Sequence, residues 1–179
     1  MSDVLGPLPA PTDPFTLLLV AAVAASRALD FLSTWIVTPR LALEANALMR
    51  RSGWARMALL NLPLPALPLL HHGAAIALVV LSLLAAGTNL SAGVLARGMS
   101  EAGQLERQRQ ALRRLGLGGA LLMNSVGSLL VCLGGAVIVF LAPAVESPAG
   151  WAGLGVVLFG ASGLVHLNWA IVRLHGRRR

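Results

Sequence analysis

Between Phe15 and Thr38 the chain reads FTLLLVAAVAASRALDFLSTWIVT, an apolar run interrupted by only two charges, Arg27 and Asp30. A bilayer crossing needs about 20 predominantly apolar residues, and this stretch satisfies that requirement with the two charges inside it. Three further blocks match it in length and character: Gly73 to Ala96, Gly116 to Ala142 and Trp151 to Val172. The whole chain agrees, with 56% hydrophobic residues, 12% charged residues and a mean hydropathy of +0.77 over 179 residues. That composition excludes a water-soluble globule and a disordered chain, because the first needs more polar surface and the second low hydrophobicity with high charge. A single cysteine excludes a disulfide framework and a thiolate metal centre.

The net charge of +7 comes from 14 basic residues, all of them arginine. Most lie between apolar blocks, as the positive-inside rule requires of a multi-pass membrane protein, and not on one nucleic-acid-binding face. Arg40, Arg50, Arg51 and Arg56 mark one cytoplasmic segment, and Arg97, Arg107, Arg109, Arg113 and Arg114 mark another. An even number of crossings must join two segments on the same side. The block Trp54 to Leu70, although short and broken by Pro63, Pro65 and Pro68, is therefore read as a crossing, with His71-His72-Gly73 as its external turn. The leader 1–14 carries Asp3 and Asp13 but no base, and the tail ends in Arg173, Arg177, Arg178 and Arg179. The expectation is an all-α polytopic transmembrane bundle. It is one domain, 15–179, with five spans at about 15–38, 54–70, 73–96, 116–142 and 151–172, an external N-terminus and a cytoplasmic C-terminus. The first span lacks a basic n-region, so it reads as a retained anchor and not as a cleavable signal. The cytoplasmic linker 97–115 is rich in Arg, Gln and Glu, with Leu105 and Leu112 one heptad apart, and reads as a surface helix.

Lipid gives helices no hydrophobic reason to associate, so small residues mark the faces where backbones approach. They recur every four residues as Ala22, Ser26, Asp30, Thr34 and Thr38 on the first span, and as Ala85, Asn89, Gly93 and Arg97 on the third. On the fourth span they are Gly116, Ala120, Asn124, Ser128, Cys132 and Ala136. Spacing of four keeps each set on one face, and the three faces are expected to meet. Cys132 in such a stripe is a packing residue.

Polar groups inside a bilayer are costly, about 2.5 to 3.5 kcal/mol for a charge at the centre of a helix, so their placement is the main functional signal. At the helical rise, Asp30 and Asn124 lie roughly 15 Å, Asn89 roughly 12 Å and His166 roughly 10 Å from the nearest cytoplasmic arginine. Matched depth predicts one polar layer, with Thr34, Ser33, Thr88, Ser91, Ser125 and Asn168 close by. Hydrogen-bonded helix packing accounts for Asn, Ser and Thr equally well. Arg27, about 18 Å from Phe15 and three residues from Asp30, reads as that acid's partner. His71 and His72, being adjacent, do not share a helix face and make a poor metal pair.

The stretch Asp30-Phe31-Leu32-Ser33-Thr34, followed by Glu44-Ala45-Asn46-Ala47, resembles an uncharacterised family of small bacterial and archaeal multi-pass proteins. That family carries Asp-x-x-Ser/Thr-Thr and then Glu-x-Asn-Pro. The likeness covers about 26 residues, from Leu29 to Trp54, and departs at Trp35, where a second Thr is common, and at Ala47, where the family has Pro. It implies that Asp30, Glu44 and Asn46 act together, and it carries no settled activity, cofactor or metal. Pro39 ends the first helix, so the chain beyond it can return Glu44 and Asn46 toward that helix as part of a cation site or a head-group cradle. Glu44 paired with Arg40, Arg50 or Arg51, and Asn46 as a cap, is the alternative.

Three functions fit these residues. The first is a small binding or transport-like protein of the cytoplasmic (inner) membrane, with a polar site open toward the cytoplasm built from Arg27, Asp30, Thr34, Glu44, Asn46, Asn89, Asn124 and His166. The second is a non-enzymatic accessory subunit of a larger membrane complex. The third is an intramembrane enzyme acting on a lipid-linked substrate with Asp30, Glu44 and His166 as acid/base groups. No His-Glu-x-x-His, Gly-x-Ser-x-Gly, phosphate loop or Cys-x-x-Cys occurs, which weighs against the enzyme. The expected partners are membrane lipids, other membrane subunits or a second copy of the chain, and not nucleic acid.

Overall fold

The long helices begin where the sequence supplies a cap or a first-turn proline. The computed structural model describes residues 10–41, 43 and 47–176, the side chains of 47–52 excepted. Helix α1 (Pro14–Val37) starts at Asp13, whose carboxylate accepts from the Thr16 amide at 3.0 Å, with Pro14 in the first turn, where its missing donor costs nothing. It stops at Thr38, before Pro39, because the residue preceding a proline is pushed out of the helical region. Helix α3 (His72–Leu95) is capped by His71 Nδ1, which accepts from the Ala74 amide at 3.1 Å. Helix α4 (Glu101–Leu141) is capped by Ser100, and α5 runs Pro148–Gly176. Among the described residues there is no strand.

The four helices α1, α3, α4 and α5 are long and apolar enough to cross a membrane. The expected linker helix and fourth span follow one another directly as the two legs of α4, which meet at a kink at Gly116 (φ 68°, ψ 169°). That backbone conformation lies in the left-handed half of the map, which glycine enters without a Cβ penalty, so the amphipathic leg and the apolar leg can turn against each other there. The segment expected as the second span is not one helix. Helix α2 (Ala47–Asn61) is itself kinked at Gly53 (φ 71°, ψ 172°) and ends at Asn61, and Leu64–Leu69 forms a 3₁₀ turn. Three prolines in six residues deny the ladder its donors, and only short 3₁₀ hydrogen bonding survives.

Helices α1 and α3 lie side by side and parallel, with a constant register. Thr16 meets His72, Arg27 meets Ser82, Ser33 meets Asn89, and a Cβ on Gly93 would come 2.9 Å from Val37 Cγ2. Their apolar contact is built from Leu19, Val23 and Ala75, packed around with Leu64, Ile76, Leu78 and Val79. Parallel neighbours oblige the chain between them to return along their whole length, and the broken segment does so. Trp54 Nε1 donates to the Pro39 carbonyl at 2.7 Å near the end of α1, Asn61 reaches Arg27 at its middle, and Leu64 packs near Leu19 and Val23.

The other half of the bundle is a glycine-built joint. A Cβ on Gly160 would fall 2.6 Å from Cys132 Sγ and 2.8 Å from the Ser128 carbonyl of α4, while one on Gly155 would fall 2.6 Å from the Ala77 carbonyl of α3. Helix α5 therefore presses its backbone on α4 along one face and on α3 along another. The small-residue face of α4, expected to meet the first span, packs on α5 instead. The physical reason is that α5 supplies Gly153, Gly160 and Gly163 opposite it, and backbone-to-backbone approach forms where both partners lack bulk.

Candidate functional site

Arg27 is the centre of the larger polar network. Its Nη1 donates to Asp30 Oδ2 at 2.7 Å and to Ser82 Oγ at 3.1 Å, its Nε donates to Asn61 Oδ1 at 2.8 Å, and its Nη2 donates to the same Asn61 oxygen. The partners are themselves anchored, Asn61 Nδ2 to the Met57 carbonyl and Ser82 Oγ to the Leu78 carbonyl, each at 2.7 Å. Three separate segments, α1, the end of α2 and α3, thus converge on one guanidinium. The ion pair is mostly enclosed, with 16% and 17% of the two side chains exposed. A charge in such surroundings persists only when paired and hydrogen-bonded, and the planar five-donor fork of arginine can serve several acceptors at once.

One helical turn along, Ser33 and Thr34 both donate to the Asp30 carbonyl, at 2.8 and 2.9 Å. Asn89 Nδ2 donates to their two hydroxyl oxygens, at 3.3 and 2.9 Å. Asp30, Thr34 and Asn89 are therefore brought together, with Arg27, in one network between α1 and α3. Asn124 is not part of it. Its Nδ2 donates to Asn168 Oδ1 at 2.8 Å, and Asn168 Nδ2 donates to Ser125 Oγ at 3.0 Å, which makes a second network between α4 and α5. The single layer expected from matched depth is thus two. Charge spacing counts residues along a helix axis and carries no information on rotation about the axis or choice of neighbour.

His166 sits on α5, half-buried, outside both networks. Glu44 and Asn46 lie outside the described residues. Two network members were missed from the sequence, and each carried a signal. Asn61 is the one polar residue between Met57 and Leu70, and Ser82 stands one heptad before Asn89 on the same face. The adjacent histidines face different neighbours. His72 Nε2 is 2.8 Å from Thr16 Oγ1 and its ring meets Phe15 edge-on, while His71 meets Trp151 edge-on. Among the described residues no three His, Cys, Asp or Glu side chains are grouped to hold a metal.

Outside the membrane-spanning segments, the Thr16 amide beside Asp13 holds that carboxyl below its ordinary value, since a hydrogen bond to the ionised form favours it. Cavities lie at both ends of the bundle, with one of about 500 Å³ bordered by Phe140, Val145 and Leu154 at the end remote from the arginines and others at the arginine-rich end. Of the latter, one is bordered by Val37, Gly93 and Arg97, and another of about 310 Å³ is bordered by Leu112, Asn124 and Leu174. No family model matches the chain, and neither a curated protein nor a solved structure does.

Proposed function

We propose that this protein is a small, non-enzymatic binding or transport-like protein of the membrane, and that its site is the ion pair Arg27–Asp30 where it meets the break in the second segment. The observation that carries the reading is Asn61. It is the last residue of α2, a 3₁₀ turn begins three residues later at Leu64, and its side chain lies on the guanidinium. Interrupted helices beside intramembrane charges are how transporters build sites near the bilayer midplane, because the interruption leaves backbone dipoles free to meet a solute. The parallel packing of α1 and α3, with the broken segment returning alongside, supports five crossings, with the arginine-rich ends in the cytoplasm. The cytoplasmic membrane of a bacterium is the setting that the likeness of Asp30 to Asn46 suggests. In this reading Asp30 exchanges Arg27 for a proton or a small cation.

The accessory-subunit reading is favoured by a different observation. All three guanidinium nitrogens of Arg27 are engaged inside the chain, as a staple requires. Flux of protons and of sodium into proteoliposomes, followed with ion-sensitive dyes, separates the two. Wild type should collapse an imposed gradient, whereas the charge-free double variant Arg27→Gln/Asp30→Asn should fold but not do so. Equal rates for the two proteins, or no wild-type flux above empty liposomes, would establish the staple and remove the transport reading.

A further inference from the structure

The amphipathic leg of α4 carries four arginines with unequal partners. Glu106 engages Arg109 at 3.7 Å and Arg113 at 3.9 Å, so those two charges are partly answered on one side of the leg. Arg107 and Arg114 have no carboxylate partner among the described residues, Arg107 Nη1 donating only to the Leu95 carbonyl at a long 3.5 Å, and both are exposed. They are seven residues apart, which is two helical turns, and so share a face. Together with Gln110 they border an open groove of about 440 Å³ along that face, floored by Ala111 and Leu115.

The same two floor residues also border the neighbouring cavity of about 310 Å³. Beyond them that cavity is walled by Leu112, Met123, Leu167 and Ile171, and its polar lining comes from Gln108 and Asn124. A cationic recess thus adjoins an apolar one, with Ala111 and Leu115 bordering both, at the end of the bundle where the leg bends away at Gly116. A free anion would use only the first recess and a hydrocarbon only the second. A molecule with a negative head and an apolar tail uses both.

We propose that this leg holds one anionic phospholipid, with its phosphate between Arg107 and Arg114 and one acyl chain in the cavity closed by Leu112 and Ile171. The proposal rests on residence in a bilayer, which supplies the ligand, and is independent of the reading of Arg27 and Asp30. Two arginines near an anionic group favour it by a combined factor on the order of thirtyfold in a membrane setting. A guanidinium matches a phosphate in geometry as well as charge.

The test is native mass spectrometry of the full chain in detergent, after incubation with equimolar phosphatidylglycerol and phosphatidylcholine. Wild type should retain one phosphatidylglycerol, preferred over phosphatidylcholine by about tenfold or more. Arg107→Gln/Arg114→Gln should lose that preference, while Arg109→Gln/Arg113→Gln, equal in charge removed, should keep it. Excess inorganic phosphate should not displace the lipid. Equal retention of the two lipids by wild type, equal loss in both double variants, or displacement by inorganic phosphate would each overturn the proposal. Thermal unfolding of the variants, all changed at surface positions, confirms that the comparison is between folded proteins.

Discussion

Asn89 donates to Thr34 at 2.9 Å, 55 residues away in sequence, and this offset is nearly the same 56 that separates Thr16 from His72 at the opposite ends of the two helices. A constant offset over the length of α1 and α3 is possible only if they run parallel. Consecutive helices joined by a tight turn are antiparallel, so the chain between these two must make a complete return. That requirement is met by α2 and the 3₁₀ turn, which explains why a segment too broken to be one helix is nonetheless long enough. Cysteines placed at His72 and at Gln104 should be labelled by an impermeant reagent from opposite sides of the membrane. Labelling of both from one side removes the five-crossing arrangement.

The Arg27–Asp30 pair predicts an asymmetric mutational response. Asp30→Asn leaves a mostly enclosed guanidinium without its counter-charge and should cost about 3 to 5 kcal/mol, the usual effect of breaking a buried pair from one side. Removing both charges should recover most of that loss. Thermal unfolding in detergent measures the two, and an unchanged midpoint for Asp30→Asn alone would mean that Asn61 and Ser82 suffice to hold Arg27.

Two separate polar networks should behave as two energetic units. Asn124→Ala and Asn168→Ala are expected to cost about 0.6 to 2 kcal/mol each and to be non-additive, because both delete the same hydrogen bond. Asn89→Ala combined with Asn124→Ala should be additive within about 0.5 kcal/mol. A strong coupling between Asn89 and Asn124 would restore the single layer read from sequence depth.

Glycine substitutions should divide by location. Gly155→Ala and Gly160→Ala place a methyl against backbone or sulfur at 2.6 Å and should destabilise by about 1 to 3 kcal/mol through overpacking. At Gly134 a Cβ has nothing within 4 Å, so Gly134→Ala should be neutral or stabilising by about 0.5 to 1 kcal/mol through helix propensity. Chemical denaturation in mixed micelles ranks the three.

The cap at Asp13 carries a pH dependence. Its carboxyl titrates below its ordinary value when folded, held there first by the Thr16 amide. A lowered folded value means the stabilisation is present above the unfolded carboxylate range and disappears as pH falls through the folded value. The acid limb of a stability profile should therefore flatten in Asp13→Asn, which still caps the helix without ionising. Superimposable acid limbs for the two proteins would remove Asp13 as a contributor.

The local chemistry of the sequence by itself determined where the four long helices form and that they suit a bilayer. Runs such as Phe15 to Thr38 have no stable alternative in lipid, Pro39 and Gly116 act on their own residues, and Arg27 reaches Asp30 within one turn of the same helix. Glu44 and Asn46 entered as candidates through the resemblance of the stretch from Leu29 to Trp54, and both lie outside the described residues. Only the tertiary structure decided which faces meet. The stripe on α4 is as small and regular as the one on α1, and periodicity gave no means of choosing a partner for either. The glycines of α5 settled the pairing, because close approach needs two bare surfaces opposite one another. Asn61 and Ser82 entered the network of Arg27 for a related reason. Their contact with it depends on the height to which a proline-broken return brings one residue and on the rotation of a parallel neighbour, and neither quantity is written in any local stretch of the chain.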